Sequence, residues 1–62
     1  MSQFEVPSVS DLRGVLTQYT IQEAMATTSE EDVNSVVKAI TAEYLAMSGS
    51  DILQEAKHEG FI

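Results

Sequence analysis

The chain has 62 residues, no cysteine and a formal net charge of −7, from ten acidic and three basic side chains. A chain of this length forms at most one domain, and it buries only about 60% of the surface that it exposes when unfolded. Because disulfides and thiolate metal sites are excluded, the remaining sources of stability are close helix packing and association with a partner chain.

The charge argues against direct binding to nucleic acid or to anionic membranes. Such binding needs clustered Lys and Arg, whereas Arg13, Lys38 and Lys57 are far apart in the sequence. No apolar run approaches the roughly 20 residues that span a bilayer, and the first ten residues do not resemble a secretory signal. We therefore expect a cytoplasmic protein that binds neither nucleic acid nor membranes.

Residues 1–7, MSQFEVP, predict an extended N-terminal arm ahead of a helical domain over residues 8–62. Pro7 disfavours helix at Val6, and Phe4 and Val6 alternate with polar residues as in a short strand. Two positions remain open for Phe4: against the body of its own chain, or against a neighbouring subunit.

The first helix is predicted to begin at Ser8, since Ser8 and Asp11 have the S-x-x-D spacing, which is close to a capping box. Gly14 lies within this helix and could allow the close approach of another backbone. The predicted apolar face of the helix consists of Leu12, Val15, Leu16 and Tyr19.

The apolar pattern then changes side at Ile21, within a run of β-branched and aromatic residues that weakens helix propensity. Thr20 and Glu23 repeat the capping-box spacing. We therefore expect a break near Thr20 followed by a short helix, IQEAMA. The alternative is one longer helix to Ala26 that carries apolar residues on two sides.

The next helix is predicted from Glu30 to about Ser48, capped by Ser29 and closed by Gly49 at C′. Three carboxylates lie in its first turn, where the positive end of the helix dipole stabilises negative charge. It carries an apolar stripe at 4-3-4-3 spacing and a stripe of small residues on the opposite side. The predicted interaction residues come from both stripes, and they are Val33, Val37, Ile40, Tyr44 and Met47, with Ala39, Ala42 and Ala46 opposite.

A last helix, DILQEAKHE, is predicted to be capped by Ser50 and ended by Gly60. Its predicted apolar face contains Ile52, Leu53 and Ala56. The apolar pair Phe61-Ile62 follows, and we expect it to dock on the body of the chain or on a partner.

Two sequence patterns give weak indications of a function, one of DNA binding and one of metal binding. TIQEAMATTSEEDVNSVVKAI has the outline of a helix-turn-helix, but its second helix begins with three carboxylates that DNA phosphates would repel. Glu55, His58 and Glu59 resemble half of a di-iron site, which only a symmetric oligomer with Glu43 as a further ligand could complete. Because no nucleophile-base pattern or nucleotide motif occurs, we expect no enzyme activity, metal or cofactor.

The sequence thus predicts an all-α bundle of three to four short helices with an extended arm. We expect a non-enzymatic regulator or adaptor that binds another protein or a second copy of itself as a homodimer. One alternative is an acidic inhibitor whose carboxylates imitate phosphates, so that it occupies the basic groove of a nucleic-acid-binding protein. Another is a small structural subunit of a larger, phage-like assembly.

Overall fold

The computed structural model describes residues 8–62, which form three α-helices and one turn of 3₁₀ helix. The predicted all-α bundle is confirmed, and the arm over residues 1–7 lies outside the described part. No helix within residues 8–62 is both long enough and apolar enough to cross a bilayer. The elements in chain order are α1 (Val9–Met25), the 3₁₀ turn (Glu30–Asp32), α2 (Val33–Ala46) and α3 (Gly49–His58).

Helix α1 begins as the sequence predicts. Ser8 has extended backbone angles, and its Oγ accepts a hydrogen bond from the main-chain N–H of Asp11 at 3.1 Å. This bond satisfies one of the amide groups that a helix start leaves without an intrahelical partner. The close backbone approach suggested for Gly14 is not found within residues 8–62, where no atom lies within 4 Å of the position that its Cβ would take.

The predicted break near Thr20 is wrong and the alternative of one longer helix is confirmed, because α1 continues without interruption to Met25, with Ala26 as its C-cap. Thr17 donates its hydroxyl to the carbonyl of Arg13 at 2.7 Å, and the hydroxyls of Thr20 and Tyr44 are hydrogen-bonded at 2.9 Å. Both threonines therefore find partners in a helical conformation. Helix α1 packs against both α2 and α3.

Helix α2 is shorter than predicted at both ends. Residues 30–32 form the 3₁₀ turn, and α2 itself ends at Ala46. Ser29 takes the extended cap conformation but makes no side-chain cap bond, and its Oγ is instead 3.0 Å from Oδ2 of Asp32. The Ser29 hydroxyl thus donates to a carboxylate, whereas a capping Ser normally accepts from a main-chain amide.

The boundary between α2 and α3 also differs from the prediction. Ser48, not Ser50, caps α3, since its Oγ accepts from the N–H of Asp51 at 3.1 Å. Gly49 is the first residue of α3 rather than the C′ residue of α2. Its backbone is not in the left-handed region, which Gly60 alone occupies among residues 8–62.

Helix α3 ends in a Schellman motif, which confirms the predicted end at Gly60. Gly60 has φ = +85°, and its N–H donates to the carbonyl of Lys57 at 3.2 Å. The N–H of Phe61 donates to the carbonyl of Ala56 at 2.8 Å. This pair of bonds reverses the chain and brings Phe61 back against Tyr19 of α1.

The hydrophobic core lies where all three helices meet. Helices α1 and α3 run parallel, because Gly49 lies beside Val9 at one end and Phe61 beside Tyr19 at the other. Leu16 and Ile52 are fully buried in this region. The buried residues are Leu12, Leu16, Tyr44, Ile52 and Ala56, and the half-buried residues packed against them are Val9, Ile40 and Met47.

Candidate protein-interaction site

Helix α2 carries the predicted interaction residues, and Arg13 of α1 fixes its C-terminal end. The Arg13 guanidinium donates to the carbonyl of Met47 at 2.8 Å and also to the carbonyl of Tyr44. Carbonyls at a helix C-terminus have no intrahelical donor, and a cation there is favoured by the helix dipole. Sequence reasoning missed this role, because nothing in the sequence links positions that are 34 residues apart.

The apolar stripe of α2 is divided along its length. Tyr44 is only 7% exposed and belongs to the core, with Ile40 and Met47 packed against it. Val33 and Val37, at the other end, are half-buried but do not join that cluster. The C-terminal part of the stripe is therefore used for packing within the chain.

The small-residue stripe faces outward. Ala39, Ala42 and Ala46 are all exposed, so none of the helices in residues 8–62 covers them. Leu45 lies next to this stripe and is 68% exposed, the largest exposed fraction among the large apolar residues of the described chain. Leu45 was missed in the sequence because it lies on neither stripe, three positions after Ala42 and beside Ala46.

A second exposed apolar surface lies along α1 and the end of α3. Val15 and Tyr19, predicted as part of the apolar face of α1, are 43% and 38% exposed. The ring of Phe61 meets that of Tyr19 edge to face, with centroids 5.5 Å apart, a favoured aromatic geometry. The pair Phe61-Ile62 is predicted to dock on the body or on a partner. Phe61 contacts the body through Tyr19, although Phe61 remains 37% exposed and Ile62 48% exposed. We call Val15, Tyr19 and Phe61 the α1–α3 patch.

Carboxylates lie close to this patch. The negative charge of Glu23 raises the pKa of Tyr19 above its ordinary value of 10.0, with smaller contributions from partial burial and from Glu59. A nearby negative charge opposes formation of the phenolate, which explains the direction. The patch thus combines exposed aromatic surface with a negative potential.

No small-molecule cavity is found in residues 8–62, and no three His, Asp or Glu side chains there are placed to hold a metal ion. In the predicted Glu55–His58–Glu59 run, His58 and Glu59 are exposed and Glu55 is half-buried. Comparison of the chain with protein-family models, curated proteins and solved structures found no match. The two exposed apolar surfaces are accordingly the candidate binding surfaces of residues 8–62.

Proposed function

We propose that this chain is a non-enzymatic protein-interaction module that acts as a regulator or adaptor in the cytoplasm and forms a homodimer through the outward face of α2. The observation that carries the proposal is the exposure of Ala39, Ala42 and Ala46 beside Leu45, whose side chain is 68% exposed. A small acidic protein would ordinarily place polar side chains on such a face, because exposed apolar patches favour association.

The shape of this face suits a second helix. Side chains as small as alanine allow two helix axes to approach at the short end of the usual 8–10 Å range. Leu45 would then be removed from water at the edge of the contact, and burial of apolar surface contributes about 25 cal/mol per Å². The same side chain in an isolated chain gains none of this stabilisation.

The charge distribution also supports contact through α2. Lys38 and Glu43 are the only charged residues of α2, so the helix has no net charge although the whole chain carries −7. Like charges brought close together oppose association. Two copies that meet through α2 therefore avoid most of the repulsion that other faces would produce.

Molar mass in solution, measured by light scattering across a dilution series, tests the proposal. We expect twice the 6.8 kDa of the single chain at high concentration and a return to that mass on dilution. The same mass at low and high salt is expected, because apolar contact does not weaken with added salt. A mass of one chain at every concentration would contradict self-association.

The second candidate function is the acidic phosphate mimic. Glu30, Glu31 and Asp32 are all exposed on the 3₁₀ turn, where a basic partner could reach them. Carboxylates held at a fixed turn could occupy a groove that otherwise binds phosphates. Binding of this kind depends on charge, so salt separates it from the apolar contact proposed for α2.

A further inference from the structure

Four residues form a line along the exposed side of α1. Asp11, Val15, Tyr19 and Glu23 follow one another at intervals of four, and all four are exposed. Residues four apart on a helix are neighbours on its surface. The line therefore places two apolar side chains between two carboxylates.

Phe61 widens this line into a surface. Its ring contacts Tyr19 edge to face. Glu59, two residues before Phe61, is exposed, and its charge is one of the smaller causes of the raised Tyr19 pKa. The surface thus has an apolar centre with carboxylates at both ends and on the α3 side. The basic residues nearest in sequence are Arg13, whose guanidinium is bound at the end of α2, and Lys57, which is exposed on α3.

We propose that the α1–α3 patch docks an amphipathic helix of another protein whose apolar face is flanked by Lys or Arg. The charge at the edge of the patch selects this occupant. Two copies that met patch to patch would bring Asp11, Glu23 and Glu59 against the same three carboxylates, and like charges across an interface are unfavourable. A basic helix gains attraction at the same points, and its cations or aliphatic stems can lie against the two aromatic rings.

The spacing of the carboxylates sets the length of the partner. Asp11 and Glu23 are twelve residues apart on one helix, which corresponds to about 18 Å of rise. A partner helix needs basic residues separated by a similar distance, with apolar side chains at helical spacing between them to meet Val15 and Tyr19.

The inference deepens the proposed function of protein interaction, but it concerns a face other than the outward face of α2. The two ideas can therefore fail separately. Loss of self-association would overturn the homodimer without affecting the α1–α3 patch, and absence of peptide binding would overturn the patch without affecting the homodimer.

The experiment uses the full chain and a fluorescent synthetic helix built from Leu, Ala and Lys, with Lys at both ends of its apolar face. Binding is followed by fluorescence anisotropy at low salt. One control peptide has Glu in place of every Lys, and another has Ser in place of every Leu. We expect binding of the first peptide only, because both attraction and apolar burial are needed.

Variants then locate the site. Val15→Gln combined with Tyr19→Gln should raise the Kd at least about tenfold, as loss of a central apolar contact does. Glu23→Gln combined with Glu59→Gln should raise it several-fold, while Glu30→Gln combined with Glu31→Gln, which changes the net charge equally, should leave it within about twofold. Circular dichroism checks that each variant is folded.

Several outcomes would overturn the inference. They are no binding by the wild-type chain, equal binding of the Glu peptide, and equal losses in the two glutamate pairs. A change in molar mass caused by the Val15 and Tyr19 substitutions would assign the patch to a second copy, which also contradicts a basic partner. The peptide controls need no variant, so unfolding of a variant does not remove the test.

Discussion

The guanidinium of Arg13 lies 2.8 Å from the main-chain carbonyl oxygen of Met47, the residue that directly follows α2. The same group also donates to the carbonyl of Tyr44 in the last turn of that helix. One side chain of α1 thus binds the C-terminus of α2 just before Ser48 starts α3.

Replacement of Arg13 by Met should lower the free energy of unfolding by about 1.5–3 kcal/mol, the usual contribution of hydrogen bonds to a charged group. The aliphatic stem is retained, so the loss reports the hydrogen bonds rather than packing. Urea denaturation followed by circular dichroism measures the change. Lys38→Met, on the exposed face of α2, is the matched control and should change stability by less than about 0.5 kcal/mol. Equal effects of the two substitutions would contradict a specific role for Arg13.

Alanine substitutions should lower the free energy of unfolding most at buried core residues and least at residues outside the core cluster. Leu16 is fully buried, and Leu16→Ala should cost about 2–5 kcal/mol. Ile40 is half-buried against the core, so Ile40→Ala should cost about 2 kcal/mol. Val37 is half-buried outside that cluster, and loss of its two methyl groups should cost about 1 kcal/mol.

Thermal or urea unfolding of the three variants shows which substitution lowers the free energy of unfolding most and which lowers it least. In so small a domain, the Leu16 variant could be largely unfolded at room temperature, since the total margin is only a few kcal/mol. A cost for Val37→Ala as large as that for Leu16→Ala would mean that a partner covers this end of the stripe.

Local patterns allowed most of the fold to be predicted. Ser8 and Gly60 act at the helix ends as their types and spacing indicate, and the apolar spacing correctly placed Leu16, Tyr44 and Ile52 in helices. These features depend on neighbours within one or two turns. A sequence pattern records such contacts because they repeat with the helical period.

Contacts between distant parts of the chain could not be predicted. The break expected at Thr20 does not form, and the Thr20 hydroxyl is hydrogen-bonded to that of Tyr44, 24 positions away. The exposure of Val15 and Tyr19 follows from where α3 lies on α1, which their spacing does not reveal. Ser48 is a different case, since Ser48 and Asp51 have the same capping spacing as Ser8 and Asp11. That signal was present in the sequence and was assigned to Ser50.

Titration of Tyr19 tests the position of the carboxylates at the α1–α3 patch. The charge of Glu23 is the first cause of the raised Tyr19 pKa, so Glu23→Gln should lower that pKa toward 10.0. Tyrosine ring signals in NMR spectra recorded against pH resolve Tyr19 from Tyr44. Glu43→Gln on α2 serves as the control and should leave the Tyr19 pKa unchanged.

The same shift gives a stability prediction at alkaline pH. A pKa that is higher in the folded than in the unfolded chain contributes stability that is fully present below about pH 10. This contribution is lost as pH rises through the folded value. Tyr19→Phe should therefore remove part of the loss of stability at alkaline pH. An unchanged Tyr19 pKa in the Glu23→Gln variant would contradict the charge of Glu23 as the cause of the raised pKa.

Charge reversal on the 3₁₀ turn separates the two candidate functions. Glu30→Lys, Glu31→Lys and Asp32→Lys together should abolish binding to a basic partner if these carboxylates imitate phosphates. Cations at a helix start also cost about 0.3–1 kcal/mol each, so folding is checked first by circular dichroism. Capture of partners from lysate at low and high salt is then compared for the wild type and the triple variant. Salt-insensitive capture that the folded triple variant retains is the outcome that we expect, and salt-sensitive capture lost in that variant would favour the mimic.

The central claim is that a second copy covers the outward face of α2, and light scattering on Ala42→Arg tests it most directly. Ala42 is exposed in the single chain, so arginine there should leave the isolated fold intact while its bulk and charge separate two copies. The control is Gln22→Arg on the exposed side of α1, which adds the same charge away from that face. We expect a folded Ala42→Arg variant with the mass of one chain at concentrations where the wild type and the control have twice that mass. A folded Ala42→Arg variant that keeps the wild-type mass of two chains would contradict the claim.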